Sequence, residues 1–149
     1  MKTAQLLIMF LLLGNLAFAQ SPTDEVNKMM DAWHHAAATA DSEGFFGRMT
    51  KECIYIGTDK TERWLRDELK EWSAQYFKRD KAWAFTAIER AVYFGKKGKI
   101  AWFNETLNTQ MGICRSSGVL RKDKKKGWML EHYHLSVTID NDKIQSFIA

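Results

Sequence analysis

The apolar residues of this chain change their period part-way along it. Val26, Met29, Met30, Trp33 and Ala37 recur at helical spacing, as do Leu65, Leu69, Trp72 and Tyr76, whereas from Ala82 onward apolar residues tend to alternate. A stripe at the helical period must be laid against an apolar partner, and alternation describes a strand with one face covered. Helices first and hairpins later therefore predict an α+β domain, with helices on one face of a meandering, mostly antiparallel sheet. They argue against a doubly wound parallel sheet, in which the two periods would interleave.

Local signals place the elements. Ser21 caps a first helix with Pro22 in its first turn and Asp24 completing the cap, and Asp41 caps a second, shorter helix through Phe45, Phe46 and Met49. In the first helix His34 lies at the edge of the apolar stripe and meets a neighbour, while His35 points away from it. Cys53 to Ile56 is a short strand ending at Gly57, and a third helix begins after Thr58 and Asp59. Trp83 and Phe85 share one parity and Ile88, Val92 and Phe94 the other, which predicts a long strand with a bulge near Ala87. Strands over Ile100–Leu107, Cys114–Lys122 and Trp128–Ile139 follow.

The N-terminus reads as a secretory leader: Lys2, an apolar run from Leu6 to Leu13, and the small-x-small pattern Ala17-Phe18-Ala19. Cleavage there predicts a leader over 1–19 and one domain over 20–149, exported to the periplasm or the extracellular medium. The run is shorter than the roughly 20 apolar residues of a membrane span and no second run occurs, so no stable membrane insertion is expected. An apolar fraction of 46% supplies a real core. The formal charge of +4 is too small an excess to imply nucleic acid as a partner, and the cluster Arg121 to Lys126 reads as a solvated hairpin turn. Cys53 and Cys114 could form one bridge in an oxidising compartment or remain buried free thiols.

Six segments stand in order along the chain: Ala32-Trp33-His34; Gly57-Thr58-Asp59 with Glu62-Arg63-Trp64; Ala101 to Glu105; Met111 to Arg115; Ser117 to Leu120; and His132 to Ser136. Together they resemble the SnoaL-like branch of the nuclear transport factor 2-like superfamily, over nearly the whole chain from Val26. The resemblance implies a cone, a strongly curved sheet whose concave face is covered by the N-terminal helices and which leaves a pocket open at the wide end. It also implies a range of activities, from ketosteroid isomerase, scytalone dehydratase, limonene epoxide hydrolase and polyketide cyclases to binding and assembly modules, so fold does not settle function.

By alternation Trp128, Leu130, His132, His134 and Ser136 share one face of the last strand, and Met129, Tyr133, Leu135, Val137 and Ile139 the other. In the implied cone the first face lines the pocket and the second is convex, where a homodimer would form. His132 and His134 are then candidate catalytic residues, with Asp59 or Glu62 as a carboxylate at the mouth, or else half-buried imidazoles bonded to neighbours, a helix cap at Asp59 and an exposed Glu62–Arg63 pair. No third ligand stands near the two histidines, so neither a metal site nor a cofactor is expected. Trp33, Tyr55, Trp64, Trp83 and Trp102 would give an aromatic lining, or plain core. Glu105 and Arg115 lie in apolar strands, where they would pair with each other or face a polar ligand group. The expected function is binding of a small apolar or aromatic molecule, with cofactor-free acid–base chemistry of an isomerase, dehydratase or cyclase type as one form of it. The alternative is a non-catalytic ligand-binding or homodimerisation module.

Overall fold

A computed structural model describes residues 20–148, so the expected leader over 1–19 lies outside the described residues. The first helix, α1, spans Pro22–Ala38. Ser21 Oγ accepts from the Asp24 amide at 3.1 Å, satisfying one of the amides that a helix start leaves open. Val26, Met30, Trp33 and Ala37 are fully buried along one stripe, His34 is buried beside them and His35 is exposed. Helix α2 is the short segment Ser42–Phe46, capped by Asp41, whose Oδ1 accepts from the Gly44 amide at 2.8 Å.

Strand β1 runs Met49–Ile56, four residues earlier than its β-branched core suggested. The expected third helix does not follow directly. Asp59 Oδ1 instead accepts from the amide and hydroxyl of Thr61 and holds a turn, and Arg63–Leu65 forms a short strand β2 before helix α3 begins at Arg66 and ends at Ser73. The helical period of Leu65, Leu69, Trp72 and Tyr76 thus spans three kinds of backbone, because pairing with β1 claims the first residue.

Strands β3 (Phe85–Phe94), β4 (Ile100–Thr109), β5 (Gly112–Asp123) and β6 (Gly127–Val137) form consecutive antiparallel hairpins. The expected bulge is present, as the β3–β4 register slips between Ala87 and Glu89. The sheet is curved and unclosed with order β2-β1-β6-β5-β4-β3, and β1 beside β6 is its parallel pair. Lys124 to Lys126 form the β5–β6 turn.

One core lies between the helices and the inner sheet face. Trp33 stacks on Phe45 at 4.6 Å and meets Tyr133 edge-on at 4.7 Å, and Tyr133 stacks on Tyr55 at 5.2 Å. Leu107, Leu120 and Leu130 complete this layer with no exposed surface. Cys53 and Cys114 are both free and buried, which settles the open choice in favour of thiols. Burial pushes the Cys53 thiol up to about 12.

The last strand departs from strict alternation. Leu120 pairs with Leu130 and Val119 with His132, so Glu131 is an extra residue on β6. Past it the faces exchange: Tyr133 and Leu135 stand opposite the buried Gly118 and Ser116, while His132, His134 and Ser136 stand opposite Val119, Ser117 and Arg115 on the outer face. The expectation that the histidines line the concave face is therefore corrected, and so is the placing of Tyr133 and Leu135 on the convex one.

Candidate functional site

Two polar constellations occupy the inner side of the sheet, one sealed and one open. In the sealed one the Glu105 carboxylate, projecting inward from β4, accepts from His34 Nε2 at 2.9 Å and Ser116 Oγ at 2.7 Å through Oε1, and from Arg90 Nε at 2.7 Å through Oε2. Arg90 reaches on to α1, donating to Asp31 Oδ1 at 2.9 Å and to the Asn27 carbonyl at 3.3 Å. Burial alone would raise the carboxyl, but the hydrogen bond and charge of His34, the charge of Arg90 and the Ser116 hydroxyl together outweigh it and hold Glu105 below its ordinary value. A buried carboxylate with three donors is a satisfied group that ties α1, β3, β4 and β5 together. The expected Glu105–Arg115 pair is not formed, because Arg115 sits one parity step away, exposed on the outer face.

The open constellation lies where the ends of β1 and β6 and the β4–β5 turn converge beneath α3. A cavity of about 200 Å³ there is walled by Tyr55, Trp64, Trp72, Tyr76 and Trp83, with Leu135 among its apolar groups. Each wall has a local origin. Tyr55 and Trp64 are partners across the β1–β2 pair and both face inward, and Trp72 extends from α3 to lie 4.6 Å from the Trp64 ring. Tyr76 follows at 5.2 Å from Trp72, in the turn after the helix. Burial drives the Tyr55 phenol far above its ordinary value, so that it stays protonated.

Glu62 is the carboxylate on this wall. Its Oε2 accepts from the amides of Thr58 at 2.9 Å and Asp59 at 3.2 Å, which fixes the loop between β1 and β2. A Cβ on Gly57 would collide with that carboxylate, so glycine there is what allows Glu62 to fold back. Gln110 and Met111 close the far side from the β4–β5 turn.

The residues singled out from the sequence divide accordingly. Tyr55 and Trp64 line the cavity. Asp59 is exposed in the adjoining loop, where the Thr61 hydroxyl and amide hold its carboxyl low. Trp33 is core, with no exposed surface. Trp102 is not a pocket residue: it lies on the outer face, 45% exposed and stacked on Tyr93 at 5.9 Å. His132 and His134 lie across the sheet from the cavity. Partial burial, with His134 and Arg63 nearby, lowers the His132 imidazole below its ordinary value. Trp83, also expected in the aromatic lining, is in the cavity wall as well, whereas Trp72, Tyr76 and Gln110 were not among the sequence candidates. Trp72 and Tyr76 carried a signal, since an aromatic stripe continuing past the end of a helix has to meet something other than that helix's own core. Among the described residues no three His, Cys, Asp or Glu side chains are grouped to hold a metal ion, and no helix is long and apolar enough to cross a membrane.

Residues 26–140 match the model of the SnoaL-like domain, and the chain belongs to that family. No curated protein matches it in sequence. Solved structures agree in fold at low identity. A nuclear transport factor 2-like protein of unknown function from Pseudomonas putida has a TM-score of 0.66 at 12% identity, covering 84% of this chain and 94% of that one. A protein provisionally assigned as a ketosteroid isomerase from Parabacteroides distasonis gives 0.65 at 15%, with 83% and 93% covered. One provisionally assigned as a dehydratase from Streptomyces avermitilis gives 0.66 at 17%, with 78% and 96% covered. These likenesses agree with the cone-shaped α+β fold expected from the sequence.

Proposed function

We propose that this SnoaL-like protein is exported and binds a small, largely apolar molecule in the aromatic cavity beneath α3. The observation that carries the reading is the lining itself. Aromatic side chains from β1, β2, α3 and the segment before β3 converge on a cavity of about 200 Å³ instead of filling it. Drug-sized ligands occupy roughly 300–1,000 Å³, so the occupant is smaller, about one ring with a short substituent. Binding rather than turnover is the form we adopt. Acid–base chemistry in this cavity would fall on Glu62, since His132 and His134 are on the other face and Asp59 is engaged with Thr61.

Native mass spectrometry of protein purified from its own host should retain a ligand that Trp64→Ala loses. A wild type that is empty, and whose tryptophan fluorescence is unmoved by phenol, would refute the reading. The same preparation tests export, because the chain should begin at Gln20. A homodimer through the outer sheet face belongs to the proposal as well, supported by the half-exposed Tyr93–Trp102 stack and by Ile113 at 46% exposure. Sedimentation should show a dimer that Trp102→Glu dissociates, and a wild-type monomer at high concentration would rule it out.

A further inference from the structure

The walls of the cavity carry a single formal charge. Among the described lining residues Glu62 is the acid and none is Lys, Arg or His, in a chain whose formal charge is +4. Both hydrogen bonds that hold the Glu62 carboxylate go to Oε2, from the Thr58 and Asp59 amides, which leaves Oε1 without a protein donor among the described residues. Trp64, Trp72 and Tyr76 line the same cavity as this carboxylate. Trp64 and Trp72 are inclined by 32° at 4.6 Å, and Trp72 and Tyr76 by 41° at 5.2 Å. The negative face of an aromatic ring attracts a cation, and a desolvated position strengthens that attraction. The chain already uses it at the rim, where the Arg79 guanidinium lies 4.7 Å from the centroid of Tyr76.

On these grounds we infer that the cavity selects a small organic cation of the alkylammonium class, with its charged head against the aromatic wall on the side of the Glu62 carboxylate. The inference rests on the binding function proposed above and names the ligand class of the same site. An anionic ligand would meet the Glu62 charge with no basic side chain in the lining to offset it. A neutral ligand would gain the apolar contacts and leave the Glu62 charge uncompensated. A methylated ammonium head answers both, since its methyl groups pack on the aromatic wall and its diffuse charge balances that of Glu62 without a contact in a fixed direction.

The probe is choline, compared with its uncharged carbon isostere 3,3-dimethylbutan-1-ol, each titrated into the mature chain by calorimetry and by tryptophan fluorescence. Choline should bind at least about tenfold tighter than the isostere. Glu62→Gln retains an oxygen acceptor for the Thr58 and Asp59 amides, so it should bring choline affinity down to that of the isostere. Trp72→Ala, at a side chain 41% exposed, should weaken both without unfolding the protein. Equal or tighter binding of the isostere, or choline affinity that survives Glu62→Gln, would overturn the cation inference while leaving the apolar cavity in place. If neither compound binds, and phenol does not either, the cavity is not a binding site and both proposals fall.

Discussion

His34 Nε2 lies 2.9 Å from Glu105 Oε1, joining residues 71 positions apart, and the two side chains have 4% and 0% of their surface exposed. The contact is one edge of a cluster that also contains Arg90 and Ser116. Removing the carboxylate would leave the buried Arg90 Nε, the His34 imidazole and the Ser116 hydroxyl without their acceptor. Glu105→Ala should therefore cost about 3–5 kcal/mol, read as a lowered midpoint in urea unfolding. A loss below about 1 kcal/mol would mean that the cluster contributes little to the fold.

The same carboxylate makes stability depend on acid. Its pKa is lowered in the folded state, so the unfolded chain takes up the proton first as pH falls. The stabilisation is fully present above the unfolded value of about 4.3 and is lost as pH drops through the lower folded value. Urea midpoints from neutral pH downward should fall most steeply below the ordinary carboxylate range, and Glu105→Gln should flatten that part of the curve. An unchanged slope in the variant would assign acid sensitivity to other groups.

The order of elements was legible because hydrophobic period and caps are local quantities. Ser21 and Asp41 cap the helices they were expected to cap, and the mismatch of parity between Phe85 and Val92 located the β3 bulge. The bulge at Glu131 left no such mark, since Trp128, Met129 and Leu130 are apolar on both parities and the buried face is identified only by the register with β5. One unseen extra residue reversed the sides assigned to His132, His134, Tyr133 and Leu135. The cavity was legible in part: Tyr55, Trp64 and Trp83 were readable as an aromatic lining, but the turn after α3 that takes Tyr76 off the helical stripe and onto the same wall as Trp72 is a closure that no local pattern encodes. Glu105 was recognised as a charge needing a partner. The partners come from α1, β3 and β5, and the neighbouring charge in sequence, Arg115, is not one of them.

His132 should titrate below its ordinary value of 6.5 in histidine NMR spectra, because partial burial and the nearby His134 and Arg63 disfavour its charged form. The sign follows from linkage. Its contribution to stability is present above the unfolded value and lost as pH falls through the folded one. His132→Ala should leave phenol or choline binding unchanged, since the imidazole is on the opposite face from the cavity. Loss of binding in a folded His132→Ala protein would return the histidine to the site.

Gly118 sits in β5 where the sheet leaves no room for a side chain. A Cβ there would lie 2.5 Å from the carbonyl oxygen of His132 and 2.7 Å from Cε1 of Phe103. The first contact is backbone of the neighbouring strand, next to the Glu131 bulge, and the second is a ring packed in the core, so neither can withdraw without shifting its surroundings. Gly118→Ala should lose about 1–3 kcal/mol of stability through overpacking. Gly95→Ala is the control, since its Cβ would find the Ile100 carbonyl oxygen at an ordinary 3.6 Å and its backbone requires no glycine. That substitution should be neutral or stabilising by about 0.4–1 kcal/mol, through the reduced freedom of the unfolded chain. Equal unfolding midpoints for the two variants would show that β5 and β6 can part at the bulge, and would remove the steric argument for glycine at position 118.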